Sequence, residues 1–538
     1  MKMKNTIACL LLLLSTPLFS QQLSLVKDIN PSGINNSFPR YLTSYNGKMV
    51  FVAGDGVGHK LYVSDGTTAG TQLLGPTTNS AGVVWYLKVY KGKLFFTYDD
   101  GIHGLELWTS DGTTAGTVML KDIWTGTNGG GIPYSSAPNF FTECNGLLFF
   151  QASTATRNQG LWVTDGTSAG TQMLGNQYSN IFGSISQFIV LNNKIYFQGN
   201  AGSGYGMWES DGTTSGTQLV KAGLVGASAG SHAVCNGKFY FMNDDGSNGG
   251  ELWESDGTNG GTVLVKDIYA GIQSSSPEKL MCHNGKIYFT ANDGIHGKEL
   301  WVSDGTNAGT KMVLDAQSGT GGSNPESMIS LNTDLFFFAN NGSSSTLFKT
   351  DGTVAGTQSV NTMPGIVAVP YVYPFNGKLY FMASNVIGGG ATTIFESDGT
   401  ALGTQQITPM VTSYFDFKDE GFLGYNSNLF LPANFGTQGL EFCKLSLLHT
   451  TALNDMPNAM PRLIVFPNPC SNQLNIVQSN FESTSTIEII NSNGQVIQEG
   501  IVTGEDITHI DVSSLAPGVY IIDIADEKRW AKMKFVKE

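Results

Sequence analysis

The sequence predicts an all-β chain: a β-propeller of eight or nine four-stranded blades closed by an N-terminal strand, followed by a small Ig-like β-sandwich. Three observations predict it. The phrase Asp-Gly-Thr-x-x-Gly-Thr recurs eight times, beginning at Asp65, Asp111, Asp165, Asp211, Asp256, Asp304, Asp351 and Asp398. Its spacings are 46, 54, 46, 45, 48, 47 and 47 residues, a period that suits one small antiparallel sheet per repeat. Two strand-like fragments at the ends of the repeat region complement each other, and the last 75 or so residues follow a different strand pattern.

The unit from Cys282 to Leu314 is the clearest. Lys286–Ala291 is rich in β-branched and aromatic residues and reads as a strand, Asn292-Asp293-Gly294 as a turn, and Glu299–Ser303 as a second strand. Asp304-Gly305-Thr306 turns the chain again, Gly309–Leu314 is a third strand, and a looser fourth run follows the connection around Ser323-Asn324-Pro325. The aromatic of the second strand (Tyr62, Trp108, Trp162, Trp208, Trp253, Trp301, Phe348, Phe395) reads as packing between blades.

The ends identify the closure. Ser24–Ile29 matches the third strand of a unit with nothing before it, while Asn428–Leu431 and Leu440–Cys443 match the first two strands of a unit that lacks its third. The N-terminal strand therefore completes the last blade. The domain boundaries that follow are 1–20, a secretory signal; 21–448, the propeller; 449–462, a linker; and 463–538, the sandwich.

Residues 1–20 combine Lys2 and Lys4, an apolar stretch from Ile7 to Leu14 and the small residue Ser20, the pattern of a cleaved signal. No other apolar run is long enough to span a bilayer as a helix. The net charge is −14, which gives no electrostatic case for nucleic acid or an anionic membrane as partner. Beyond the signal, Cys144, Cys235, Cys282, Cys443 and Cys470 are too sparse for a disulfide framework. Small apolar filler is the preferred reading, with a Cys235–Cys282 bridge between neighbouring units as the alternative.

Copies such as Glu106-Leu107-Trp108…Asp111-Gly112-Thr113 and Glu299-Leu300-Trp301…Asp304-Gly305-Thr306 make residues 22–448 resemble bacterial secreted proteins with an ELWxxDGT repeat. That resemblance implies no activity. The C-terminal stretch carries Pro467-Asn468-Pro469, Gly518-x-Tyr520 and the lysines Lys534 and Lys537. It resembles the type A sorting domain of the type IX secretion system of Bacteroidota, which implies the secretion machinery as partner and a secreted or outer-membrane-surface destination reached through the periplasm.

For chemistry, the acidic hairpins are the candidates. Asp99, Asp100, Asp244, Asp245 and Asp293 could ligate Ca²⁺, the one cofactor with any support, but none has the spacing of a calcium loop and turn formation is the preferred reading. His59, His103 and His296 fall near the same loops and read as repeat features. A sialidase-like site needs clustered arginines, whereas residues 21–448 hold Arg40 and Arg157 alone. No phosphate loop, Cys/His metal spacing or nucleophile elbow is present. The preferred function is a secreted or surface non-catalytic binding propeller for a glycan or protein, with the insertion Thr125–Pro138 as the first loop to consider. The alternative is an extracellular polysaccharide lyase or glycosidase.

Overall fold

The computed structural model describes residues 22–31, 35–75, 82–155, 157–174, 188–200, 205–224, 231–342, 344–362, 366, 368–384, 391–408, 411–412, 421–434, 438–447, 462–466, 470–479, 484–491, 495–503, 508–525 and 530–538. The signal segment and Pro467, Asn468 and Pro469 lie outside them, as does the linker except for Arg462. The chain divides into two compact units, residues 1–447 and 448–538.

The first unit holds nine antiparallel sheets among the described residues, eight of four strands and one of five. In chain order they occupy residues 40–75, 84–121, 139–173, 189–224, 232–266, 278–314, 326–362, 368–412 and 423–446. The ninth gains its fourth strand from the other end of the chain: Gln22–Lys27 pairs with Leu440–Ser446, Leu25 opposite Cys443. This is the closure that the two end fragments call for.

The strand phase needs a correction. The looser run after each unit, for example Glu326–Leu331, is the first strand of the following sheet and pairs with Asp334–Asn340. The tight turn decides this. Asn284-Gly285, with φ of 48° and 73°, matches the hairpin turn that joins two strands with the right twist. The long Gly/Ser/Pro stretches instead carry the chain to the next sheet.

Burial explains the composition of the strands. Lys286–Asn292 and Lys298–Ser303, the two central strands of the sixth sheet, are buried along nearly their whole length, while its outer strands are half exposed. A strand covered on both faces needs apolar residues in succession. Nine core clusters result, each between two consecutive sheets. The Leu-Trp pair accounts for the pattern, because adjacent residues on a strand point to opposite faces. Trp301 packs between the fifth and sixth sheets, and Leu300 between the sixth and seventh. Trp108 and Leu107 do the same one side and the other of the second sheet. The ninth cluster joins Val26, Phe430 and Phe442 of the last sheet to Phe51 and Tyr62 of the first, so the order of sheets is cyclic and the fold propeller-like.

Polar ties repeat at these junctions. Tyr45 donates its hydroxyl to Gly92 O at 2.7 Å and Tyr90 to Gly146 O at 2.6 Å; Tyr425 does so to Gly47 O at 2.6 Å across the closing junction. Lys121 Nζ reaches Thr171 O at 2.8 Å, and Lys27 reaches Thr71 O at 2.6 Å. The glutamate of Glu-Leu-Trp is the third tie. Glu251 accepts from Ile268 N at 2.9 Å, from Ser275 N at 2.9 Å and from Ser275 Oγ at 2.6 Å, all from the connection into the sixth sheet. Glu106 holds Ile123 and Ser136 in the same way, and Glu441 holds Ile29 and Ser37. Junctions made from distant ends and from neighbouring sequence therefore use the same contacts.

Cys235 and Cys282 form a disulfide with Cα atoms 5.5 Å apart. The filler reading fails for this pair, because a separation of one repeat brings the first strands of the fifth and sixth sheets side by side. Cys144, Cys443 and Cys470 are free and buried.

In the second unit, seven strands among the described residues form a three-stranded and a four-stranded sheet around one core that includes Leu474, Ile476, Ile489, Ile522, Ile524 and Phe535.

Two outcomes follow. Phe442 is fully buried, its ring 4.3 Å from Phe51 across the closing junction, and Phe337 is fully buried at an ordinary junction. Phe442→Ala and Phe337→Ala should each cost about 3–5 kcal/mol in chemical denaturation; a cost near zero for Phe442 alone would show the ends unjoined in solution. Burial also raises Glu106 and Glu441 from 4.5 to about 7. The folded state then binds more protons than the unfolded one between those values, so this contribution is fully present below 4.5 and lost as pH rises through 7. Melting temperature measured from pH 5 to 7.5 should therefore decline less steeply in Glu106→Gln than in the parent.

Candidate binding site

The most visible motif is consumed by its own geometry. In the sixth copy, Asp304 Oδ1 accepts from Thr306 N at 2.9 Å and Thr306 Oγ1 at 2.7 Å, Gly309 N donates to Thr306 Oγ1 at 2.9 Å, and Ser303 and Thr310 share a hydroxyl bond of 2.7 Å. The Asp304 carboxylate lies where a side chain at residue 309 would stand, 2.0 Å from an added Cβ, so only glycine fits there. The other seven copies close the same bonds, and the threonine donors hold all eight aspartates below the usual carboxylate range. The polar groups that recur in the motif are thus spent on closing its own turn.

The hairpin acids are engaged as well. Asp99 Oδ1 accepts from Gly101 N at 2.7 Å, and Asp100 Oδ1 from Ile102 N and His103 N at 2.9 Å each. Asp244 and Asp245 accept from Gly246, Ser247 and Asn248, and Asp293 from Ile295 and His296. His103 and His296 pair with Asp100 and Asp293 at 2.8 and 2.7 Å, which raises both imidazoles. No group of three or more His, Cys, Asp or Glu that could hold a metal occurs among the described residues. The insertion folds on itself: Asn128 N donates to Ile132 O, Tyr134 N to Gly126 O, and Trp124 stacks on Tyr134 at 4.9 Å.

The candidate site lies elsewhere, on the first strands of the sheets. These strands lie closest to one another, and several carry a bulge: between Arg40 and Thr43, Trp85 and Lys88, Asn139 and Thr142, Glu278 and Met281, and Glu326 and Ile329. In each bulge one residue takes a left-handed conformation: Tyr41 at φ 55°, Tyr86 at 57°, Phe140 at 57°, Lys279 at 55° and Ser327 at 53°. A bulky residue in that region costs about 1–3 kcal/mol and has to be held there by its surroundings. Thr43 and Thr142 supply part of the hold, donating their hydroxyls to Tyr41 O at 2.9 Å and Phe140 O at 3.0 Å.

Three of these left-handed residues, Tyr41, Tyr86 and Phe140, line a cavity of about 550 Å³ together with Leu87, Lys88, Phe141, Thr142, Phe188 and His232. Tyr86 is 43% exposed and Trp85 36%. The Arg40 guanidinium lies 4.9 Å from the Trp85 ring and 5.6 Å from that of Tyr41. Burial lowers His232 below the ordinary imidazole value, leaving it neutral near pH 7. The described residues lining the cavity include no carboxylate. The opening is thus aromatic with hydroxyl, imidazole and ammonium groups between the rings, suited to holding a ligand with apolar faces and polar edges. Sequence reasoning missed it. The one available signal was that first strands differ most between copies.

In the second unit, Gly518 opens the strand Gly518–Ala525, opposite Lys537. Tyr520 is buried, donates its hydroxyl to Ala516 O at 2.8 Å and stacks on Phe535 at 5.6 Å. Lys534 is exposed and Lys537 buried on the last strand.

Residues 464–538 match the family model of the secretion system C-terminal sorting domain. No curated protein matches the chain. Among solved structures, one of two prolyl endopeptidases is similar at 12% identity and a TM-score of 0.37, over 66% of this chain and 56% of that one. A puromycin hydrolase is similar at 12% identity and a TM-score of 0.35, over 67% and 60%. An oligogalacturonate lyase from Vibrio parahaemolyticus is similar at 10% and 0.35, over 69% and 99%. The chain thus spans less than two thirds of the length of the first two. Likenesses this distant carry no argument about chemistry. The sorting domain does carry one: it implies contact with the type IX secretion machinery and marks a secreted or cell-surface protein.

Proposed function

We propose that residues 22–447 form a closed nine-bladed propeller of the ELWxxDGT-repeat kind that binds a glycan without transforming it, exported by the type IX system of a member of the Bacteroidota. The observation that carries this reading is the aromatic cavity on the first strands, whose lining residues include no carboxylate. Sugar rings present apolar C–H faces that cover aromatic rings, and hydroxyl edges that need partners such as Thr142, His232 and the tyrosine hydroxyls. Glycoside hydrolysis uses two carboxyl groups flanking the scissile bond, and the described lining residues include none; elimination, which an imidazole and a tyrosine hydroxyl can serve, is the alternative that turnover would reveal.

A screen of the full chain against polysaccharides tests the proposal. Binding without turnover is expected, weakened at least about tenfold in the double variant Tyr86→Ala/Phe140→Ala, since each aromatic contact contributes about 1 kcal/mol beyond the area it buries. Turnover in the same screen would favour the lyase or glycosidase reading. Deleting the tip of the insertion, residues 128–132, should leave binding intact, because those residues bond among themselves and Ser136, which Glu106 holds, is spared.

Asp99, Asp100, Asp244, Asp245 and Asp293 are read as turn formers, their oxygens already accepting backbone N–H groups. Melting in Ca²⁺ and in EDTA should therefore coincide. A midpoint several degrees higher in Ca²⁺ would assign these loops a metal instead.

A further inference from the structure

Resting on the glycan-binding reading, we propose that the cavity selects a sugar bearing a carboxylate, a uronate unit of an acidic glycan, with its ring against Tyr86 and its carboxylate held by Lys88 and Arg40.

The argument begins with where the copies differ. Lys88 stands two residues after the left-handed Tyr86. Thr43 and Thr142 stand two residues after Tyr41 and Phe140, and there the hydroxyl clamps the bulge. Met281 and Ile329 hold the same place in the sixth and seventh sheets. At this position among these bulges Lys88 is the one cation. It lines the cavity and forms no salt bridge among the described residues, although seven other salt bridges are made there.

Arg40 repeats the logic one sheet away. It directly precedes Tyr41, where the matching residues are Trp85, Asn139, Glu278 and Glu326. Its guanidinium is fixed by stacking against Trp85 and Tyr41, and its buried Nε has no hydrogen-bond partner. The nearby Asp55 is already paired with Lys60 at 2.6 Å. A guanidinium lying over aromatic rings with an unpartnered donor suits a charge-assisted hydrogen bond to a carboxylate.

Charge contrast adds specificity. The whole chain carries −14, so most of its surface repels an acidic polymer, while this opening has Lys88 in its lining and Arg40 at its edge, over the ring of the lining residue Tyr41, and the described lining residues include no carboxylate. A neutral sugar would cover the rings and leave both cations without a counter-charge. An acidic one satisfies both.

The experiment compares the full chain's affinity for tetrasaccharides of glucuronate, mannuronate and galacturonate with that for their methyl esters, which keep the ring and remove the charge. At least one acid should bind about tenfold or more tightly than its ester, the effect of a hydrogen bond to a charged group. Lys88→Met and Arg40→Gln should each raise the acid's Kd towards that of the ester without changing the ester's, and Lys88→Arg should retain the preference. Unchanged melting temperatures verify that the variants fold. Equal binding of acid and ester overturns the charge selection and leaves glycan binding standing. Binding of neither, nor of any neutral glycan, overturns the reading beneath it. A peptide with a free C-terminal carboxylate binding more tightly than every sugar overturns the glycan as occupant.

Discussion

A sheet whose central strands are buried on both faces cannot stand alone in water, and the remainder of the first unit follows from that. Each sheet needs a neighbour on either side, so a linear stack would leave two apolar ends exposed. Joining the ninth sheet to the first removes both. The adjacent Leu-Trp residues give this requirement its sequence form, one side chain for each of the two neighbours. The buried glutamate beside them has a different task. It fixes the path of the chain from one sheet into the next through the N–H groups of that connection, at the cost of keeping a carboxylate out of water.

Much of this could be read from the residues. The period, the turn-forming aspartates and the complementary end fragments lead to a ring of eight or nine sheets and to its closing strand, because all depend on local pattern and counting. The phase of the repeat could not be read as safely: the first strands, such as Glu326–Leu331, are half exposed and lack the apolar run that announces a strand. The role of Glu251 was hidden for another reason. Its partners Ile268 and Ser275 are ordinary residues in a connection, and only folding brings them to it. The bridge from Cys235 to Cys282 likewise needs knowledge of which strands lie side by side.

The cavity was the least legible feature. Left-handed backbone is usually signalled by glycine or asparagine, yet here it falls on Tyr41, Tyr86 and Phe140. Packing of the neighbouring sheets and the clamping threonines impose it, and neither has a sequence signature. The division of labour is clear in retrospect. Repeated residues build junctions and turns, and the first strands, which share in the junctions through Tyr45, Tyr90 and the Cys235–Cys282 bridge, also supply the residues that line the cavity.

The strand Gln22–Lys27 bears on how the molecule comes to be folded. It joins residues such as Ser24 and Lys444, 420 positions apart, so the ring cannot close while the chain is still emerging from a ribosome or a membrane pore. Loop closure over such a distance comes late and is paid in chain entropy before any contact rewards it. Until Leu440–Ser446 arrives, the first sheet presents Phe51 and Tyr62 to solvent. A secreted or cell-surface chain is thereby kept incomplete through most of its synthesis, and its first unit closes only once that unit's last strand is delivered, ahead of the sorting domain.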